Sequence, residues 1–181
     1  MELKFSQDSI TIIGYARDEA MRTGSYGIGI DHLMLGILRH SGNRAVRCLE
    51  EADVDVSDLK SHLDSELFSE KAVPYSDADM VRPTRGLQSA LSISAFEALK
   101  TGSHTVRPVD MLLAITRTEG NASVRYLAAR GIDHGKLAAL SGTAATAPAE
   151  MHIRKEDIAG ALEEQLANIF GSKYQETNVY S

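Results

Sequence analysis

The sequence contains an internal repeat, and this repeat constrains the fold more than any other feature. When the chain is shifted by 78 positions it aligns with itself without a gap, and identical residues occur in the same order in both copies. They fall at helical spacing and at turns. Examples are Leu35 with Leu113, Arg39 with Arg117, Gly42 and Asn43 with Gly120 and Asn121, and Asp55 with Asp133. The sequence therefore predicts a fold made twice, with two halves related by an approximate twofold axis.

Composition and periodicity predict that each copy is a four-helix unit of an all-α protein. Hydrophobic residues make up 43% of the chain, aromatic residues only 6%, and tryptophan is absent, which favours aliphatic helix packing over a β-sandwich. In the first copy, Ser6 is predicted to cap the first helix and Asp31 a short apolar helix over residues 33–38. Asn43 is predicted to start the third helix and Ser57 the fourth.

The second copy repeats this plan. Thr84, Asn121 and Asp133 are predicted helix starts, and Pro108 falls in the first turn of the short buried helix, where a missing N–H is tolerated. Beyond the repeats, an apolar stripe from Ile158 to Phe170 predicts one further amphipathic helix. The predicted organisation is a double-repeat domain over residues 1–141 (repeat one about 5–67, linker 69–83, repeat two about 84–141), a linker over 142–150, and a C-terminal helix and tail over 151–181.

Charge and residue usage exclude several classes of function. A net charge of −6 disfavours binding to nucleic acid. No apolar run approaches the length of a membrane span, and the single cysteine, Cys48, fits a reducing compartment, so we expect a cytoplasmic protein without a membrane partner. The six histidines show no metal-ligand spacing, and no phosphate-binding loop is present, so no metal, cofactor or catalytic residue is predicted.

The motifs of the first copy resemble a known family. A helix entering at Phe5 and Ser6, a glycine-rich loop over residues 24–29, and the run from Ile30 to Leu38 are similar to the amino-terminal repeat domain of Clp-family AAA+ unfoldases. In that family the short helix typically opens with Gly-Thr-Glu-His-Leu-Leu-Leu. The resemblance covers roughly residues 5–141 and includes the two-copy layout.

The resemblance implies a non-catalytic, all-α module that docks protein or peptide substrates, or adaptor proteins, for a hexameric Clp ATPase. We expect this chain to do so without an ATPase of its own, as a free-standing protein. The alternative is a stand-alone interaction module unrelated to proteolysis, in which the C-terminal helix forms a homodimer. A small hydrolytic enzyme is the weakest alternative, because no nucleophile, base and orienting residue can be assembled from the sequence.

The resemblance also points to binding residues. Some family members bind phosphorylated arginine through a hydroxyl and an acidic residue in each repeat, and the matching pairs are Ser6 with Asp31 and Thr84 with Val109. Val109 cannot replace a carboxylate that faces a guanidinium group, so we do not expect the second pocket to keep this chemistry. The alternative for Ser6, Asp31 and Thr84 is that each one caps a helix.

Two equivalent long loops provide the remaining candidates for peptide contact. They carry Tyr26 and Ile28 in the first copy and His104 and Val106 in the second. Loops on a rigid scaffold often carry binding surfaces, but these side chains can equally fold back over the core, and the sequence leaves both alternatives open. His32 is predicted to bond a neighbouring helix or loop.

Overall fold

The computed structural model describes residues 2–142 and 155–170, in which helices dominate and strands are few and short. The all-α prediction is confirmed. The first repeat contains α1 (Gln7–Arg22), α2 (Ile30–Arg39), α3 (Arg44–Glu51) and α4 (Val56–Leu67). The second contains α5 (Arg85–Lys100), α6 (Pro108–Thr116), α7 (Ala122–Ala129) and α8 (His134–Ser141), and α9 (Lys155–Phe170) follows. Strands β1 (Lys4–Phe5), β2 (Gly27–Ile28), β3 (Arg82–Pro83) and β4 (Thr105–Val106) are two residues each.

The two repeats correspond closely in structure. Adding 78 to the bounds of α1, α3, β1 and β2 gives those of α5, α7, β3 and β4, residue for residue. Asparagine and aspartate side chains cap matching helices, since Asn43 and Asn121 accept from the N–H groups of Val46 and Val124. Asp55 and Asp133 likewise cap α4 and α8. The fourth helix therefore starts at Val56, one residue earlier than the Ser57 that we predicted.

The repeats are interlocked by their strands, which the sequence did not predict. β1 precedes the first repeat but pairs in parallel with β4 of the second, and β3 precedes the second repeat but pairs with β2 of the first. Each repeat thus contributes one strand to each of two small sheets. Strands of two residues are too short to produce an alternating pattern, so periodicity could not reveal them.

The segment between the repeats is part of this structure. We expected residues 69–83 to be a linker, and they contain a 3₁₀ helix (Tyr75–Met80) followed by β3. Backbone N–H groups of Ser69 and Val73 donate to carbonyl oxygens of Thr23 and Met21 at the end of α1. The segment is therefore fixed to the first repeat at its start and to β2 at its end.

The core is built around the two short helices α2 and α6, as their apolar sequences predict. The apolar side chains between Leu33 and Ile37 in α2 and between Met111 and Ile115 in α6 are at most 1% exposed. The long helices α1 and α5 pack against α2 and α6 respectively. Because the central helices of both repeats also contact one another, the described core is continuous across the two halves.

The C-terminal helix α9 packs on its own chain. Its apolar residues Ile158, Leu162 and Leu166 are buried, and the helix contacts α5 of the second repeat together with α1 and β1 of the first. The face on which we based the homodimer alternative is covered within the chain. The predicted linker over 142–150 lies, apart from Gly142, outside the described residues, as does the predicted tail after Phe170.

Candidate protein-docking surface

The two loops singled out in the sequence place their residues on different sides of the backbone. Ile28 in β2 and Val106 in β4 are fully buried, so these two side chains cover the core and do not face a peptide. Tyr26 and His104, at equivalent positions just before these strands, are exposed. The sequence left two alternatives open, and each applies to one pair of residues. Ile28 and Val106 fold back over the core, whereas Tyr26 and His104 are exposed.

Each exposed loop residue is tied to a neighbouring segment. The Tyr26 hydroxyl donates to Oδ2 of Asp77 in the 3₁₀ helix at 2.6 Å, and this bond to a carboxylate raises the pKa of Tyr26. His104 Nδ1 lies 2.9 Å from the carbonyl oxygen of Glu2. These bonds hold the exposed rings in one place, which lowers the entropy lost when a partner contacts them.

The hydroxyl candidates Ser6 and Thr84 cap helices. Ser6 Oγ accepts from the N–H of Ser9, and Thr84 Oγ1 accepts from the N–H of Leu87. Thr84 Oγ1 also donates to the carbonyl oxygen of Ile28, whereas Ser6 donates to Ser9 Oγ, which itself donates to the equivalent carbonyl of Val106. The capping alternative is therefore confirmed for both residues.

We predicted that Asp31 caps its own helix, and this prediction is wrong. The N-cap of α2 is Gly29, and the Asp31 carboxylate instead lies at the N-terminus of α7 in the other repeat. One oxygen accepts from the N–H and Oγ of Ser123 at 2.9 and 2.7 Å, and the other accepts from the N–H of Ala122 at 3.1 Å. A helix N-terminus stabilises a carboxylate in this position. The equivalent residue, Val109, is 3% exposed and has no polar group to offer.

His32 closes the turn before α2 from inside the core, where it is 4% exposed. The N–H of Gly29 donates to Nδ1 at 2.8 Å, which leaves the ring proton on Nε2, 3.2 Å from the Thr23 hydroxyl. Burial lowers the pKa of His32, partly offset by the nearby Asp31 and Glu19 carboxylates. In the second repeat Asp110 takes the same position and accepts from the N–H of Arg107 at 2.9 Å. The predicted bond from His32 to a neighbouring segment is thus observed.

Lowering the pH is expected to destabilise the protein through His32. Because its pKa is depressed in the folded chain, the unfolded chain binds more protons below about pH 6.5, the ordinary histidine value. The stabilising contribution of the neutral ring is complete above that pH and is lost as the pH falls. We expect His32→Asn, which keeps an acceptor for Gly29, to flatten the dependence of the unfolding free energy on pH between 7.5 and 5.

Urea unfolding at a series of pH values measures this dependence. The matched control is His62→Asn on α4, where the side chain is 42% exposed. If the unfolding free energy of His32→Asn depended on pH as steeply as that of the unmodified chain, the assignment of this dependence to His32 would be wrong. An equal flattening in His62→Asn would also contradict it.

Sequence reasoning missed an exposed apolar surface on the segment between the repeats. Phe68, Tyr75 and Met80 are 69%, 88% and 61% exposed, and Tyr26 joins them through its bond to Asp77. We call these four residues the connecting-segment surface. Its sequence signal is three large apolar residues among polar and charged ones in a stretch without periodicity. That pattern is indistinguishable from an ordinary linker until the segment is seen to be fixed to the fold.

The described residues give no indication of a metal site or a membrane span. Within residues 2–142 and 155–170, no group of three or more histidine, cysteine, aspartate or glutamate side chains could hold a metal ion. In the same ranges no helix has the length and apolar character needed to cross a bilayer. The buried Cys48 thiol donates to the carbonyl oxygen of Leu137, and burial raises its pKa, which disfavours the reactive thiolate.

Two interlocked four-helix repeats with capped, buried central helices define the class of this protein, the helical double-repeat domain of Clp proteins. A family model described as "Clp repeat (R) N-terminal domain" matches residues 4–129. The chain therefore belongs to the Clp repeat N-terminal domain family, which confirms the resemblance noted in its sequence. The domain of this family is non-catalytic.

Relatives and a solved structure agree with this assignment. The chaperone protein ClpB of Oceanobacillus iheyensis is 23% identical over 133 residues, and the negative regulator of genetic competence ClpC/MecB of Bacillus subtilis is 22% identical over the same length. Each match covers 74% of this chain but 16% of the relative. The crystal structure of the N-terminal domain of the chaperone ClpD from Arabidopsis thaliana superposes with a TM-score of 0.59 at 14% identity, covering 77% of this chain and 95% of that domain. This last likeness shows the fold.

Proposed function

We propose that this chain is a non-catalytic protein-binding module that docks substrates or adaptors for a Clp-type ATP-dependent unfoldase or protease. Its membership of the Clp repeat family supports a role in binding. The relatives ClpB and ClpC are much longer than the matched region, so the docking role is proposed for the domain alone. The cytoplasmic location and the lack of a cofactor expected from the sequence remain predictions.

The connecting-segment surface is the observation that supports docking most directly. Five large apolar side chains are exposed among the described residues, and three of them lie between Phe68 and Met80. They are held on a backbone that is hydrogen-bonded to α1 and β2, so their exposure is a property of the folded domain. Fixed, exposed aromatic and methionine side chains are well suited to contact an apolar peptide segment.

The structure gives little support to phosphorylated arginine as a ligand of the two pairs to which the resemblance points, Ser6 with Asp31 and Thr84 with Val109. Both carboxylate oxygens of Asp31 are bonded to the N-terminus of α7, and Ser6 is bonded to Ser9. A guanidinium group at Asp31 would have to compete with three hydrogen bonds that join the two repeats. At the second site, Val109 offers no charge, as the sequence already indicated.

The alternative of a stand-alone interaction module rested on a free apolar face of the C-terminal helix. That face is buried against α1, α5 and β1, so no described surface favours a dimer through it. We therefore prefer the docking proposal to the interaction-module alternative.

The proposal is tested with a labelled, permanently unfolded casein as a substrate surrogate and with purified Clp ATPase from the source organism. We expect the chain to bind the casein and to change its rate of degradation or unfolding by the ATPase. The double variant Tyr75→Ser with Met80→Ser should weaken casein binding at least tenfold, or about 1.4 kcal/mol, because it removes two exposed anchors.

The matched control is Phe96→Ser, which removes an apolar side chain that is 40% exposed on α5. It should leave casein binding unchanged. A chain that binds neither casein nor the ATPase would overturn the proposed function. Equal losses in the control and the double variant would overturn the assignment to the connecting-segment surface.

A further inference from the structure

A polar cleft lies between α4, the last helix of the first repeat, and α7, the third helix of the second. Its volume is about 550 Å³. The residues that line it are Asp58, Ser61, His62, Ser65 and Glu66 of α4, with Arg125, Tyr126, Ala129 and Arg130 of α7 and its C-cap. Because each wall comes from a different repeat, a ligand in this cleft would contact both halves of the molecule. We call it the α4–α7 cleft.

The corresponding helix pair on the other side of the pseudo-twofold axis, α3 with α8, is closed by less polar residues. Cys48 takes the position of Tyr126, and its buried thiol donates to the carbonyl oxygen of Leu137 in α8. Leu140 takes the position of His62 and packs against the core. The fold therefore accepts an apolar interface at this place. It does not require the polar side chains that line the α4–α7 cleft.

One carboxylate and one guanidinium group of the cleft are paired within the chain. The Tyr126 hydroxyl donates to Oδ2 of Asp58 at 2.6 Å, and Nη2 of Arg130 donates to the same oxygen at 3.5 Å. The Arg130 guanidinium also lies 3.5 Å from the centre of the Tyr126 ring, which is a cation–π contact. These contacts fix one wall of the cleft and offset the charge of Asp58.

Three other polar side chains of the cleft have no partner among the residues that the structure describes. They are the guanidinium group of Arg125 and the hydroxyl groups of Ser61 and Ser65, which lie one turn apart on α4. All three residues are exposed. The remaining charged group is Glu66, whose Oε1 lies 3.9 Å from Nε2 of His62. The cleft therefore offers a guanidinium group and two hydroxyl groups that can all donate hydrogen bonds to a ligand.

A carboxylate matches this set of donors. A guanidinium group can bind a carboxylate through two parallel hydrogen bonds, and hydroxyl groups can donate to the same oxygens. The cleft is not strongly basic, because Asp58 and Glu66 carry as many formal charges as its two arginines. Glu66 repels a phosphate dianion more strongly than a singly charged carboxylate. The charge balance of the cleft therefore favours the carboxylate.

We propose that the α4–α7 cleft binds a carboxylate of a peptide segment presented by a partner protein. Arg125 is its ion-pair partner, and Ser61 and Ser65 donate hydrogen bonds to it. The carboxylate belongs to an acidic side chain or to the carboxyl terminus of the partner, and the probes below distinguish these sources. This site is distinct from the connecting-segment surface and does not depend on the function proposed for that surface.

Short alanine- and serine-based peptides of equal length are the probes. One is capped at both ends and carries a central glutamate, and a second is capped and carries glutamine there. Nuclear magnetic resonance titration of the isotopically labelled chain follows the Nε–H signal of Arg125 and the backbone amides of Ser61 and Ser65. We expect the glutamate peptide to shift these signals saturably and to bind about tenfold more tightly than the glutamine peptide, because hydrogen bonds between charged groups are the stronger ones.

Further probes decide the source and the chemistry of the ligand. If a glutamine peptide with a free carboxyl terminus binds in place of the capped glutamate peptide, the terminal carboxylate is the ligand group. Failure of both carboxylate peptides to bind would overturn the proposal. A capped lysine peptide that binds as tightly as the glutamate peptide would also overturn it, and so would inorganic phosphate that binds more tightly than either carboxylate peptide.

Arg125→Gln is the variant that tests the site, and Arg47→Gln is its matched control. Arg47 takes the equivalent position on α3 and is also exposed, but it does not line the cleft. We expect Arg125→Gln to weaken binding of the carboxylate peptide about tenfold and Arg47→Gln to leave it unchanged. Equal losses in the two variants would show a general effect of charge and overturn the site. Urea unfolding verifies that both variants remain as stable as the unmodified chain.

Glu66→Gln gives a second measurement, in which binding is expected to improve. The change removes the like charge nearest to the proposed ligand in the cleft and keeps the size of the side chain. We expect the carboxylate peptide to bind about threefold more tightly, and the gain to shrink as salt is added. A role of the cleft in folding alone would not produce this gain. Unchanged or weaker binding by Glu66→Gln would contradict the arrangement that we propose.

Discussion

Replacing Gly36 with alanine is expected to destabilise the protein by about 2–3 kcal/mol, even though alanine is the better helix former. Gly36 lies in α2 where that helix crosses α1. A Cβ added there would be 2.6 Å from the carbonyl oxygen of Ile12 and 3.0 Å from the backbone nitrogen of Ala16. Both are backbone atoms, so the methyl group fits only if the two helices move apart. Urea unfolding of the two chains measures the loss.

Gly14→Ala provides the matched control. Gly14 is an interior residue of α1, and no atom outside its own stretch of helix lies within 4 Å of a Cβ added to it. Alanine should stabilise the helix there by about 0.5–1 kcal/mol, since it reduces the entropy lost on folding. The two substitutions are chemically identical and should have opposite signs. Equal effects would contradict the close packing of α1 on α2. In the second repeat the position equivalent to Gly36 is Ala114, so this closeness belongs to the first repeat.

Replacing Glu97 with alanine is expected to cost about 2 kcal/mol or more. Its carboxylate is 3% exposed and its Oε1 bonds Nε of Arg117 and lies 2.9 Å from Nε2 of His134, while Lys100 approaches the other oxygen at 3.7 Å. Removing the acid leaves three basic groups facing each other, together with a cavity. These basic side chains are 23–39% exposed, so water relieves part of the penalty.

The equivalent residue of the first repeat is the control for Glu97. Glu19 is equally buried, but its partner Arg22 also bonds Asp64 at 2.6 Å and keeps that partner when Glu19 is removed. Glu19→Ala should therefore cost less than Glu97→Ala, and thermal or urea unfolding compares them. Glu97 joins α5 to Arg117 at the end of α6 and to His134 in α8. A larger loss for Glu19→Ala than for Glu97→Ala would contradict the stabilising role that we assign to this cluster.

Many residues of the candidate surface could be predicted from the sequence. Those that could not depend on contacts between distant parts of the chain. Tyr26 and His104 were singled out and are exposed, and Ser6 and Thr84 were recognised as residues that can cap a helix, which they do. The connecting-segment surface was not found, because exposure of Phe68, Tyr75 and Met80 depends on how their segment is fixed to α1 and β2. Nothing in the residues themselves distinguishes a fixed segment from a loose one.

Asp31 shows the same limit at one residue. Its position before an apolar run predicts an N-cap, and it does serve a helix N-terminus, but that of α7, 91 residues further along the chain. The hydrogen bond from the N–H of Gly29 to His32 closes the start of α2. Because the Asp31 carboxylate is not needed there, it can bond the N-terminus of α7.

The sequence by itself determined the number of repeats, the helical class and most of the helix starts. These properties depend on residues three or four positions apart, whose preferences act locally and are visible in the order of the amino acids. Only the tertiary structure decided the exchange of strands between repeats, the cap that Asp31 gives to α7, and the seating of Gln165 on β1. Each of these joins residues about 55 to 160 positions apart through two-residue strands or single side chains, which leave no periodic pattern along the chain.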